Sequence, residues 1–101
     1  MRRATTPTHT FTFPEDVEVG DVTEALITYS QCGKTILEKT LDDLEADPEN
    51  NMFALQLSEA ETNLFAPGKA LIQVRAKINE TSLVSQMLWL NVKPVLDSKE
   101  I

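Results

Sequence analysis

The chain has 101 residues, 42% of them hydrophobic and 25% charged, with a formal net charge of −7. That length and apolar content suit one compact domain, and three glycines and five prolines are too few for a disordered or collagen-like chain. The acidic balance argues against a nucleic-acid groove, and the nine Lys and Arg residues are spread along the chain from Arg2 to Lys99, so no nucleic-acid partner is expected.

Residues 1–7 are polar and end in Pro7, the pattern of a flexible terminus. Arg2 and Arg3 are followed by Ala-Thr-Thr-Pro-Thr-His-Thr and not by an apolar segment, so the expectation is cytoplasmic synthesis without a targeting signal. Thr8 to Phe13 alternates with period two and is expected to be a strand stopped by Pro14. On that strand the single histidine, His9, is placed outward as a solvated or hydrogen-bonded residue. Glu15 to Asp21 is an acidic connection, with weak pairing at Val17 and Val19 and a turn at Gly20.

Val22 to Gln31 is a long strand with Ala25, Ile27 and Tyr29 on one face and Leu26, Thr28 and Ser30 on the other. Cys32-Gly33 then has the position of a two-residue hairpin loop leading into a strand over Lys34 to Thr40, although cysteine is a less comfortable first turn residue than Asn or Asp. The acidic run Asp42 to Asn50, with Pro48, is expected to be a loop. Met52 to Leu57 is a strand with Phe53, Leu55 and Leu57 inward.

Ser58-Glu59-Ala60-Glu61 matches a capping box, which predicts a short helical turn near 58–65 ended by Pro67-Gly68, with Leu64 and Phe65 plugging the core. Lys69 to Ile78 is the clearest strand, with Ala70, Ile72, Val74, Ala76 and Ile78 apolar against Gln73, Arg75 and Lys77. Asn79-Glu80-Thr81 is a polar turn, and Ser82 to Val92 returns as a strand until Pro94. The longest apolar stretch, Met87 to Leu90, is far too short to cross a bilayer, so no membrane partner is expected.

No interval between strands holds a helix long enough for a parallel crossover. The expected fold is therefore all-β, an antiparallel Ig-like β-sandwich of six to seven strands over 8–95, between flexible ends at 1–7 and 96–101.

Reactive groups do not converge. Gly33-Lys34-Thr35 has the tail of a phosphate loop, but the position five before Gly33 is Thr28 and the context is strand-turn-strand. Cys32 has no adjacent base, and as the sole cysteine it excludes an intrachain disulfide. Asp42, Asp43, Glu45, Asp47 and Glu49 offer oxygen ligands without the spacing of a calcium loop, so they are assigned to a solvated surface, as are Glu15, Asp16 and Glu18. Asn79-Glu80-Thr81 has glycosylation spacing and is read as turn chemistry. No catalytic residue, cofactor site or metal site is expected, and the protein is read as a non-enzyme.

Trp89 is the exception to this bland surface. Leu88, Leu90 and Val92 alternate against Met87 and Trp89, so one set faces away from the core. Either Trp89, with Met87 and Leu71, forms a partner-contact face, or the helical turn or the acidic loop folds over the indole.

The stretches Thr8-His9-Thr10-Phe11-Thr12-Phe13, Ala25 to Lys34, Leu37 to Asp43, Leu57-Ser58 and Gly68-Lys69 with Ile72 to Arg75 together resemble a group of small Ig-like sandwich proteins encoded by phages and prophages of Gram-positive bacteria. The resemblance covers most of the chain. It implies a non-enzymatic structural or interaction module whose partner is a protein, either a virion or tail component or a second copy. Two positions depart from that pattern: Cys32 stands where Asn is favoured, and the Trp89 region is more apolar. The alternative from the residues alone is a ligand-binding module of carbohydrate or Ca²⁺ adhesin type, although sugar platforms use several exposed aromatic residues and the chain has six aromatics in all.

Overall fold

The computed structural model of the protein describes residues 1, 5–13, 17–79 and 82–93, with the backbone alone at 82–84. Arg2, Arg3, Pro14, Glu15, Asp16, Glu80, Thr81, Pro94 and the tail 96–101 lie outside the described residues.

Among the described residues seven strands form two antiparallel sheets, in keeping with the alternating pattern. They are β1 (Thr8–Thr12), β2 (Val22–Gln31), β3 (Lys34–Thr40), β4 (Glu45–Asp47), β5 (Met52–Gln56), β6 (Gly68–Ile78) and β7 (Ser82–Val92). The smaller sheet has the order β1-β5-β4 and the larger β3-β2-β6-β7. The one α-helix among the described residues, α1 (Glu59–Thr62), lies in the connection from β5 of the smaller sheet to β6 of the larger.

The core lies between the sheets. Phe11, Ile27, Tyr29, Leu55, Leu57, Phe65, Ala70, Ile72, Val74 and Val92 make one buried cluster, and Phe13, Val19, Val22, Phe53 and Ala76 a second beside it, with Leu44 packed against both. The rings meet edge to face, at 5.6 Å between centroids for both Phe13–Phe53 and Tyr29–Phe65, the arrangement their quadrupoles favour. Phe65 plugs the core as expected, but Leu64 does not: it is exposed, because the turn after α1 directs consecutive side chains apart.

The turns follow their residues. Cys32 and Gly33 both have positive φ, 51° and 79°, the requirement of a two-residue hairpin with the twist of its strands. The same left-handed backbone occurs at Asn51 and Asn79, where asparagine adopts it readily. The capping box forms: Glu61 N–H donates to Ser58 Oγ at 3.1 Å and Ser58 N–H to Glu61 Oε1 at 2.9 Å.

Three expectations need correction. The acidic segment is not all loop, because Glu45–Asp47 pairs with Met52 to Ala54 of β5 as β4, while Leu41–Asp43 forms a 3-10 turn. Strand propensity is low there, and pairing with β5 supplies what composition does not. Val19 does not pair; it opens a 3-10 turn over Val19–Asp21 and is buried. Asn51 organises this region: its Nδ2 donates to Val17 O at 2.6 Å and Phe13 O at 3.3 Å, and its Oδ1 accepts from Val19 N–H at 2.8 Å.

The third correction is His9. It shares a face with buried Phe11 and points inward, half-buried, with Nδ1 2.6 Å from the hydroxyl of fully buried Tyr29. Period two gives the two faces of a strand but not which one is inside, and Phe11 and Phe13 decide it by their apolar area.

Candidate contact surface

The larger sheet carries its alternation through to the outer side. Ala70, Ile72, Val74 and Ala76 of β6 are buried, so Leu71, Gln73 and Arg75 face out. In β7, Val92 is buried and Leu90 half-buried, which places Ser85, Met87, Trp89 and Asn91 on the outer face. Leu88, on the inner parity, is nevertheless 39% exposed, since β7 lies at the edge of its sheet and the three-stranded sheet opposite is the smaller.

The β6–β7 register brings the three sequence-predicted contact residues together. Leu71 lies directly opposite Trp89 and Gln73 opposite Met87, with Ser30 and Thr28 of β2 continuing the two rows. Side chains so paired across a sheet are in reach of one another. Trp89 is 71% exposed and Met87 64%, with Leu71 half-buried beside them. Neither α1 nor the acidic segment covers the indole. Trp89, Met87 and Leu71 thus stand side by side as an exposed apolar group on the outer face, and a contiguous group of this kind is more informative than a single exposed side chain.

Among the described residues, Met1 alone occupies the outer edge of β7 beside this face. The Met1 amine donates to Asn91 O at 2.6 Å, and Lys93 N–H donates to Met1 O at 2.6 Å. Asn91 and Lys93 therefore turn their backbone polar groups away from β6. That direction alternates along an antiparallel strand, so Ser85, Met87 and Trp89 present N–H and C=O outward while Gln86, Leu88 and Leu90 bond to β6. Within the sandwich, the Gln86 amide donates to Thr12 O at 3.1 Å and ties β7 to β1.

Several polar groups elsewhere help to hold the fold. Glu61 forms an ion pair with Lys39. Partial burial opposes ionisation of Glu61, but the Lys39 ammonium and the Ser58 amide and hydroxyl outweigh it and hold the carboxyl below its ordinary range. Burial, then the positive Met1 amine, lowers the His9 pKa; burial, then the Glu61 charge, raises that of Tyr29. His9, Tyr29, Glu61 and Lys39 thus form a polar seam at the α1 end of the sandwich, and inward-facing His9 was the member that the sequence misplaced. Gln31 closes the same end, donating to Ala66 O and accepting from Ala66 N–H, both at 2.8 Å.

In the acidic segment, Asp43 Oδ2 accepts from Thr40 N–H at 3.0 Å, and Asp47 accepts from the Asn50 side chain at 2.9 Å. Two of its carboxylates are thereby committed to local turns. Among the described residues no group of three or more His, Cys, Asp or Glu could hold a metal ion, and none of the described helices is long and apolar enough to cross a membrane. Cys32 is exposed at its turn.

No protein-family model and no curated protein matches the chain. Among solved structures, it is similar to CopC from Methylosinus trichosporium OB3b, with a TM-score of 0.59, 95% of this chain and 85% of that chain covered, and 17% sequence identity. At that identity the likeness is one of fold, and it establishes this chain as an all-β sandwich of the same general shape.

Proposed function

We propose that the protein is a non-enzymatic interaction module that works by protein–protein contact through the outer face of β6 and β7, centred on Trp89 with Met87 and Leu71. The single observation that carries this reading is the 71% exposure of Trp89 in register with Leu71. Burying an indole and a thioether against a partner removes apolar area from water at about 25 cal/mol per Å², and tryptophan is prominent among residues that dominate interface energies. A structural role in a phage or prophage assembly is part of the proposal and is supported by the sequence resemblance.

The test is site-specific photocrosslinking in the cells that make the protein, with a benzophenone amino acid at position 89 and, as control, at exposed Glu45 on the other sheet. The expected outcome is a discrete protein adduct from position 89 that is absent from position 45 and lost on adding Leu71→Asp. Equal labelling from both positions, or none from 89, would overturn the reading.

A further inference from the structure

We infer that the protein partner is a second copy of the same chain, joined edge to edge through antiparallel pairing of β7 with β7. This rests on the reading of the Trp89 region as a protein-contact surface, seats the contact on the β7 edge that borders it, and names the occupant of that edge.

Three observations converge on it. First, β7 is eleven residues long, Ser-Leu-Val-Ser-Gln-Met-Leu-Trp-Leu-Asn-Val, and carries no ionisable side chain. Every other strand of its sheet carries one or more: Glu24 in β2, Lys34, Glu38 and Lys39 in β3, and Lys69, Arg75 and Lys77 in β6. Two copies of a chain with net charge −7 repel one another, and an uncharged edge is where they approach with least like-charge opposition. Second, β7 pairs with β6 over its whole length without a register shift, so its outer edge is as regular as its inner one. An edge this long and regular, with neither a bulge nor an inward-pointing charge, is the kind that templates another strand.

Third, the length of free edge selects a register. Met1 occupies the edge at Asn91 and Lys93, and β7 begins at Ser82. Among the described residues the open segment therefore runs from Ser82 to Leu90, and its midpoint is Gln86. A two-fold axis at Gln86 opposes Ser85 to Met87 of the second copy and Trp89 to Leu83, and these are the odd-numbered residues whose N–H and C=O point outward. Such an arrangement is isologous and closes on itself, so it ends at a dimer and not a fibre. It makes one continuous sheet from the two four-stranded ones, with both Met87 and both Trp89 side chains on a single face.

The test is sedimentation equilibrium of the full chain at roughly 100 μM and below, a range that resolves micromolar association, with far-UV circular dichroism as the folding control. The wild type is expected to be a dimer. Met87→Pro removes an outward N–H that β6 does not use and should give a folded monomer. Should that variant not fold, Ser85→Glu with Met87→Glu places like charges opposite one another at the proposed register, and weakens the dimer by about a hundredfold. Ser85→Lys with Met87→Glu restores it, because those two positions oppose each other across the axis. A monomeric wild type at every concentration overturns the inference, as does a dimer that ignores both the proline and the paired glutamates. The mass of the photocrosslinked adduct from position 89 separates the two proposals: twice the chain mass supports the second copy, whereas a different protein overturns it and leaves the contact surface standing.

Discussion

The larger sheet has two edges, β3 and β7, and they are built on opposite plans. β3 is short, and carries Lys34, Glu38 and Lys39. Its pairing with β2 shifts between Tyr29 and Ser30, which leaves Ile36 as an extra residue. Lys39 sits on the inner parity, opposite Ile27, and is held there by Glu61 of α1. An inward charge and a bulge both obstruct a strand arriving from outside. β7 has neither device, and its only described occupant is Met1 at the far end. One sheet thus protects one edge and leaves the other open beside the exposed Trp89. The contrast indicates that the openness of β7 is specific to that edge rather than a general looseness of the fold.

The largest expected effect tests whether the two sides of β7 have been assigned correctly. Leu88→Pro removes an N–H directed at β6 and should cost about 3 kcal/mol or more in chemical denaturation, whereas the neighbouring Met87→Pro leaves the monomer close to wild type. Equal loss at both positions would refute the parity derived from Met1.

A smaller effect breaks the contrast from the other side. Lys39→Leu removes the inward charge of β3 and should cost less than about 1 kcal/mol at neutral pH, while light scattering shows new concentration-dependent association. The same variant has a pH signature. The folded Glu61 carboxyl titrates below its ordinary value of 4.5, so its contribution is complete above that value and is lost as pH falls through the folded-state value. Urea midpoints should decline less on the acid side in Lys39→Leu than in wild type; an unchanged acid limb would remove the ion pair from the account.

The smallest effect lies in the turn that feeds β3. Cys32 holds φ at 51°, where any Cβ crowds the backbone and asparagine, unlike cysteine, offsets the cost by hydrogen bonding to nearby backbone. Cys32→Asn should raise stability by roughly a few tenths of a kcal/mol, read as a rise in the thermal midpoint without change in association.

Much of this fold could be read from local pattern. The bounds of β2, β3 and β7 agree with their alternation, the Ser58 capping box formed, and Cys32-Gly33 made its hairpin, because period, cap and turn chemistry act within a few residues. The outer-face placement of Trp89 and Met87 beside Leu71 was also open to sequence reading, since a strand with large apolar side chains on both faces cannot bury both against one core. Three matters were decided only in three dimensions. His9 turned inward because Phe11 and Phe13 claimed the core side of β1. Glu45–Asp47 became a strand because β5 offered an edge to pair with. The cover of Trp89 depended on where α1 and the acidic segment came to rest, and both settled elsewhere. Alternation along a chain divides its side chains into two sets, but which set meets water, and which edge stays open, follows from the neighbouring strands that the chain brings back from far along its sequence.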